Sequence, residues 1–481
     1  MEKSYDVIVA GAGIAGSLAA AAASKGGAKV LLIDRNVPTE AGKKTNWGWV
    51  CGDAVAKSHI DYIKENLGVN FAEPELEVKV DGVYALSPDF KNKIVFDGEG
   101  YVLDRPKFGN KLRDIAIKYG AEYVTGHEVE GPILEGSKIT GVFGRDDKKE
   151  QYKVSAKIVI DTLGVASMIR RRLPTQAHEF IQKDISIDDI ESTGRYIVDF
   201  DPDHEDLNYY DPKNCIIHLN QQLAPGGYGW VFPKRGNKMN VGLGVEKHSI
   251  DIRNQKMGKK DTLHTLIDQY IQWNPVIKNM RMNNEHNNAK GYWSVTVRRQ
   301  LDCLVYNNYL GAGDSMAMPN PISAGGIGPA MVAGVQSGQV AAQAVQEGRT
   351  DMEYLWKYNL MFNESYGNKT AGLEVFRIYL QSLNNDLINY GMAHFLTKEE
   401  AIQISYGLVP EVSMASAVTK VLHGLGNITA FKNLVYVVSA MKRLNKLYAN
   451  YPKDIKDFKP WRAAVDKEIA EAKQRFKPNP I

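Results

Sequence analysis

The sequence predicts an α/β protein in which a Rossmann-like domain carries an inserted antiparallel sheet and is followed by a helical C-terminal region. Three observations carry this expectation. A strand, a Gly-x-Gly-x-x-Gly turn, an alanine-rich helix and a second strand succeed one another between Tyr5 and Asp34. Stretches that alternate apolar and polar side chains crowd between about 179 and 300, and helical periodicity dominates after about 348.

The first unit is the most explicit. Tyr5–Ala10 is β-branched and apolar, as a buried parallel strand is, and leads without a spacer into Gly11-Ala12-Gly13-Ile14-Ala15-Gly16. A helix follows to about Ser24, then a Gly26-Gly27 stop, then a strand Lys29–Ile33 that ends in Asp34. Gly11 suits a tight turn, Gly13 lets backbone approach a pyrophosphate, Gly16 lets helix and strand pack closely, and Asp34 is placed to accept from an adenosine ribose. A lone glycine fingerprint is weak, but the complete strand–helix–strand unit with its terminal acid predicts a dinucleotide site.

This unit does not separate FAD from a nicotinamide. A second signal lies at Asn308–Gly338: a short strand into Gly311-Ala312-Gly313-Asp314, a loop with Pro319 and Pro321, then Ser323-Ala324-Gly325-Gly326-Ile327-Gly328 opening a helix through about Val345. Such a helix start places partial positive charge where a reduced flavin is negative, and Asp314 suits a ribityl chain. Gly334 and Gly338 give the helix a flat packing face.

In the middle region, Tyr196–Phe200, Cys215–Leu219, Tyr228–Phe232 and Met239–Val245 read as strands of a sheet with one wet face. Tyr228, Trp230 and Phe232 share one strand face, with Pro233 expected to close the strand. Beyond about 348, helical patterns run at Leu373–Leu383, Lys398–Tyr406, Ala415–Leu425 and Ala430–Tyr448, the last pairing an apolar face with Lys432, Lys442, Arg443 and Lys446. Domain limits are expected at 1–178 for the nucleotide domain, with residues around 70–100 joining the sheet, 179–300 for the sheet, 301–347 for the return to the first domain and 348–481 for the helices.

Composition excludes several classes. The 481 residues exceed the roughly 250–300 that one core supports, and 44% hydrophobic with 24% charged residues is ordinary globular usage. With 59 Lys+Arg against 56 Asp+Glu and no long block of one sign, nucleic acid is not an expected partner. Three scattered cysteines, Cys51, Cys215 and Cys303, fit neither a disulfide framework nor a metal site, so no metal is expected and the cytoplasm is the expected compartment. No secretory signal is read at the N-terminus, and the apolar stretches Leu18–Ala23 and Leu434–Met441 fall short of the ~20 residues of a membrane span, so any membrane contact is peripheral, at the inner face.

Taken together, these motifs resemble flavoproteins of the para-hydroxybenzoate hydroxylase fold. Within that fold the chain is similar to the archaeal geranylgeranyl reductases, the digeranylgeranylglycerophospholipid reductases among them. The likeness runs through Cys51-Gly52-Asp53-Ala54-Val55, Pro225–Pro233 (PGGYGWVFP), Asn240-Val-Gly-Leu-Gly244, the Gly-Asp loop and Asn389-Tyr-Gly391. It implies FAD as cofactor, with contacts from Ala15, Asp34, Cys51, Gly52, Ala54, Arg105, Val129, Asp314, Gly326 and Ile327, alongside the glycines of the first turn. Arg105, at a helix start, fits either a pyrophosphate fork or a solvated cap. The likeness also makes Tyr228, Trp230 and Phe232 the substrate wall, an assignment that periodicity alone does not separate from ordinary core.

The implied activity is hydride transfer from reduced flavin to C=C bonds of geranylgeranyl chains in ether-lipid precursors or geranylgeranyl diphosphate. An isolated alkene also needs a proton, for which Cys51, Asp53, Tyr228 and bound water are the candidates. With one GxGxxG unit, the electron donor stays open among a ferredoxin-like carrier, NAD(P)H and a deazaflavin. Two rivals share the fold. One is an aromatic monooxygenase, against which Leu163-Gly164 stands where many hydroxylases carry Asp-Gly; the other is a non-catalytic isoprenoid carrier similar to the GDP-dissociation inhibitors, which the intact flavin loop disfavours.

Overall fold

The computed structural model describes residues 4–36, 50–202, 206–283, 289–395, 397, 399–400, 403 and 427–481. Its first sheet runs in the order Tyr309–Gly311, Gln151–Asp161, Ser4–Ala10, Val30–Ile33 and Glu122–Val124, all parallel, with the antiparallel hairpin His127–Glu135/Lys138–Asp146 joined to Gln151–Asp161. Val7–Ala10 of the central strand is fully buried, with helices Ile14–Lys25 and Ile327–Gln346 packed on it, which is why that stretch reads as a continuous apolar run.

Helix Ile14–Lys25 packs on helix Ile327–Gln346 more intimately than any other helix pair described. A Cβ at Gly334 would lie 2.5 Å from the Ala15 carbonyl oxygen, and one at Gly338 would lie 2.3 Å from that of Ala19. The two glycines are therefore the condition for bringing both helix N-termini to one place. The alanine run on the facing helix completes the small-residue interface.

The second sheet joins Ile277–Met282, Ile190–Pro202, Lys238–Glu246, Gly229–Lys234, Asn214–His218, Leu76–Leu86, Lys93–Leu103 and Ala54–Ala56, with Lys290–Thr296 also paired to Ile190–Pro202. Three expectations are corrected here. The sheet is not wholly antiparallel, since Asn214–His218 runs parallel to Leu76–Leu86. Its far face is not wet: Val198, Phe200, Val231, Val241 and Leu243 pack on Leu266, Ile267 and Tyr270 of helix Leu263–Trp273, an apolar layer that strand alternation does not reveal. Pro233 does not close its strand, which pairs through Lys234, opposite Lys238.

In the C-terminal region, helix Ile428–Ala449 buries Val437, Ala440, Met441, Leu444 and Tyr448 among helices Leu373–Leu380 and Phe458–Arg475, and Arg443 pairs with Glu468 at 2.8 Å. Its apolar face is thus occupied by the fold, with Ile428 and Val435 left exposed. The pattern at Ala415–Leu425, and most of that at Lys398–Tyr406, lies outside the described residues. No helix among the described residues is long and apolar enough to cross a membrane.

A candidate cofactor and substrate cavity

One cavity of about 2110 Å³ runs between the two sheets and on into the C-terminal helices. Its polar lobe begins at the Gly11 turn. Gly11 has φ of +100°, and a Cβ there would meet the Thr162 carbonyl oxygen at 2.6 Å, so only glycine allows both the turn and this contact. Thr162 Oγ1 donates to the carbonyls of Ala10 and Gly11, tying the turn to the end of the neighbouring strand. Asp34 Oδ2 accepts from the Ala12 amide at 2.6 Å and Oδ1 from the Asn36 amide at 2.7 Å, fixing the carboxylate at the strand end beside the turn.

The residues fit FAD on geometry internal to this chain. The N-termini of helices Ile14–Lys25 and Ile327–Gln346 both open on the cavity, neither is capped by a side chain, and the space beside Gly13 is empty out to 4 Å. Uncapped helix starts present backbone N–H donors and partial positive charge to an anion. Arg105, buried at the start of helix Arg105–Lys118, and Val129 of strand His127–Glu135 line the same lobe. Asp314 lies by the second helix start, its carboxyl pushed up to about 6 by burial. Gly326 and Ile327 form that start, where a Cβ on Gly326 would press on Pro319 and Asp314. Ala15, Cys51, Gly52 and Ala54 also line the cavity.

The three motifs of the sheet converge on one side chain. Asn240 Oδ1 accepts from the Trp230 indole N–H at 3.0 Å, while its Nδ2 donates to the Cys51 carbonyl and to Asp53 Oδ2, both at 2.8 Å. Asp53 sits at φ 69°, in the left-handed region that side chains avoid, held there by Asn240 and by Lys234 Nζ at 3.4 Å. Lys234 also pairs with Glu77 at 2.7 Å, and Arg105 Nε lies 3.8 Å from Asp53. Asp53 is therefore a buried anchor of the loop after Cys51, and its carboxylate is committed to cations.

Tyr228, Trp230 and Phe232 do share one face, with successive ring centroids 6.2 and 6.4 Å apart, and all three line the cavity. Phe232 packs so closely on Gly52 that a Cβ there would lie 2.7 Å from its ring. The Tyr228 hydroxyl donates to the Ser323 carbonyl of the second glycine loop, joining roof to floor. Burial pushes the Tyr228 phenol well up and also raises the Cys51 thiol, so both are neutral. Leu163 and Gly164 line the cavity in the loop after Asp161, which is buried and accepts from Ser167, Tyr309 and the Leu163 amide.

Much of the apolar lobe escaped the sequence. Cys215 and Ile217 present alternate side chains from strand Asn214–His218, Leu219 follows just beyond it, and Leu383, Leu387, Met392 and Phe395 add a wall from the C-terminal region. Periodicity marks those helices but not which of two apolar faces meets the cavity. His59, stacked over Gly328, and Glu191 are also lining residues without a sequence signal.

Residues 189–285 match the geranylgeranyl reductase catalytic domain, and residues 6–171 match the FAD-dependent oxidoreductases. The chain is 32% identical over 475 residues to a digeranylgeranylglycerophospholipid reductase of Sulfolobus acidocaldarius, covering 98% of both chains. It is 30% identical over 417 residues to digeranylgeranylglycerophospholipid reductase 2 of Methanococcoides burtonii, covering 85% of this chain and 89% of the relative. A geranylgeranyl bacteriochlorophyll reductase-like protein from Thermoplasma acidophilum has a similar structure, with a TM-score of 0.71 at 25% identity over 90% of this chain and 99% of that one. A myxobacterial chondrochloren halogenase shares the fold, with a TM-score of 0.64 at 14% identity over 99% of this chain and 98% of that one.

Proposed function

The chain belongs to the digeranylgeranylglycerophospholipid reductase family, and from that premise we propose that it saturates the C=C bonds of geranylgeranyl chains in archaeal ether-lipid precursors, with FAD as cofactor. The observation that carries this reading is the continuity of the cavity. A polar lobe with two uncapped helix starts opens directly into an aromatic and aliphatic lobe that extends to Phe395.

Bound FAD would supply the hydride equivalent, held by the Gly11–Gly16 turn, Asp34, Arg105, Val129 and the Asp314–Ile327 loop. Trp230, fixed by its bond to Asn240, and Phe232, wedged on Gly52, present rigid apolar surface against which a trisubstituted double bond is oriented. The aliphatic wall excludes water from the remaining chain. Of the three candidate acids, Asp53 is committed to Lys234 and Asn240, and Tyr228 already donates to Ser323; these two hold the site together. Cys51 keeps its thiol proton, and full turnover in Cys51→Ala would release it from any chemical role.

The test is anaerobic. Protein reduced with dithionite receives digeranylgeranylglyceryl phosphate or geranylgeranyl diphosphate while flavin absorbance and product mass are followed. Reoxidation with mass gains in steps of two hydrogens is expected; flavin that stays reduced with both lipids refutes the reading. Oxygen uptake coupled to a phenol would identify a monooxygenase, and colourless protein that refuses FAD would identify a carrier. Repeating the assay with reduced ferredoxin, NAD(P)H or a reduced deazaflavin identifies the donor. Since the substrate is a membrane lipid, the protein is proposed to meet the inner membrane face peripherally, which co-sedimentation with anionic vesicles checks.

A further inference from the structure

Glu191 is a buried carboxyl without an assigned role. It lies near the start of strand Ile190–Pro202 and lines the main cavity. Two motif glycines make room for it: a Cβ on Gly244 would lie 2.8 Å from Glu191 Oε2, and one on Gly227 would lie 3.3 Å away. The bare stretch of sheet at Pro225–Tyr228 and Gly242–Gly244 is therefore a seat for this carboxyl as much as for an aromatic ring. Along the same strand face, Arg195 reaches the electrostatic neighbourhood of Cys51 and Asp53, so Glu191 points to the side of the sheet that faces the cofactor lobe.

Burial keeps it protonated. Glu246 is its direct cross-strand partner and caps helix Lys247–Met257, accepting from the His248 and Ser249 amides at 2.8 and 2.7 Å. Like charges across one strand pair are unfavourable, so Glu246 adds to the effect of burial. Arg377, itself tied to Asp189 at 2.8 Å, acts against burial and outweighs Glu246, and a hydrogen bond with Gln381 also favours the anion. Tyr228, at the start of the strand beyond Lys238–Glu246, lies within electrostatic reach of Glu191. Burial prevails and pushes the Glu191 carboxyl up to about 8. That makes it a stronger acid than the Cys51 thiol, which burial raises above its ordinary 9.0.

Resting on the reductase reading above, we infer that Glu191 is the acid of this cavity, giving its carboxyl proton to one alkene carbon while hydride reaches the neighbouring carbon. The balance closes. The π pair and the proton form one C–H bond, the hydride pair forms the other, and the broken O–H bond leaves a carboxylate that a solvent proton restores. The two electrons come from the reduced flavin.

Two measurements test this on the full-length FAD protein. Infrared difference spectra recorded without substrate, on raising pH through about 8, should show a protonated-carboxyl band that disappears in wild type and is missing from Glu191→Gln. In single turnover, E191Q should slow prenyl-lipid reduction by about 100-fold or more while prenyl-lipid affinity stays within about twofold, and the wild-type rate should fall as pH rises through about 8. G244A, which displaces the carboxyl, should slow wild type but add nothing in the E191Q background. E191Q turning over at the wild-type rate with the wild-type pH profile overturns the assignment and leaves the reductase reading intact. Wild type that does not reduce prenyl lipid overturns both, and a missing wild-type band overturns the protonated carboxyl by itself.

Discussion

Gly334→Ala puts the helix contact at the cofactor lobe to a test in which two physical effects oppose one another. Replacing glycine by alanine inside an exposed helix stabilises by about 1 kcal/mol. At Gly334 the new methyl would sit 2.5 Å from the Ala15 carbonyl oxygen and 3.0 Å from Ala15 Cα, both backbone atoms that no rotamer change can move. Restoring ordinary contact requires helices Ile14–Lys25 and Ile327–Gln346 to part by about 1 Å, and overpacking of this kind costs about 1–3 kcal/mol. The net expectation is destabilisation of up to about 2 kcal/mol, with the sign set by packing. Because both helix starts face the same lobe, the separation should also weaken FAD binding several-fold. Gly391→Ala is the matched control: its Cβ would meet nothing within 4 Å, so propensity alone should act and stability should rise. Thermal unfolding of the apo and FAD-loaded proteins, with flavin fluorescence for affinity, reads both effects. A G334A protein as stable as G391A, with unchanged FAD affinity, would refute the argument that the glycine face sets the cofactor cradle.

Lys234→Met removes the cation shared by buried Asp53 and half-buried Glu77 and should destabilise by about 3–5 kcal/mol in urea unfolding, with Asp53→Asn losing less. Arg299→Met leaves Glu374 and Asp302 unpaired where the C-terminal helices meet the cofactor domain; a similar loss of about 3–5 kcal/mol is expected, and unchanged unfolding would show that the helical region is held by apolar packing alone. Trp230→Ala should raise KM for prenyl lipid more than it lowers FAD affinity, since the indole lines the apolar lobe and bonds only to Asn240; steady-state kinetics and flavin titration separate the two. Asp314, raised in the folded apo protein to about 6 from 3.8, stabilises fully below about pH 4 and loses that contribution as pH rises through about 6. Asp314→Asn should therefore flatten the decline in apo stability across that window, and an unaltered pH profile would show that the carboxyl does not titrate there.

The sequence by itself determined what short-range chemistry specifies. A β-branched strand followed by Gly11, Gly13 and Gly16 admits few conformations, because the turn needs a positive φ and the crossing of helix and strand leaves no space for a Cβ. Gly334 and Gly338 were legible for the same reason, and the period-2 array Tyr228, Trp230, Phe232 fixed a shared face before any fold was known. Other features depend on which distant segments meet. Asp53 and Tyr228 read as candidate acids until Lys234, Asn240 and Ser323 were found to engage them. The wet face expected of the sheet was taken up by helix Leu263–Trp273, since an apolar strand residue does not declare whether its partner is a ligand or a core. Glu191 carries no motif, and its proton follows from its burial against Gly227 and Gly244, which only the fold brings beneath it. Local sterics act through neighbours in sequence, whereas burial and charge act through neighbours in space, and only the tertiary structure supplies those.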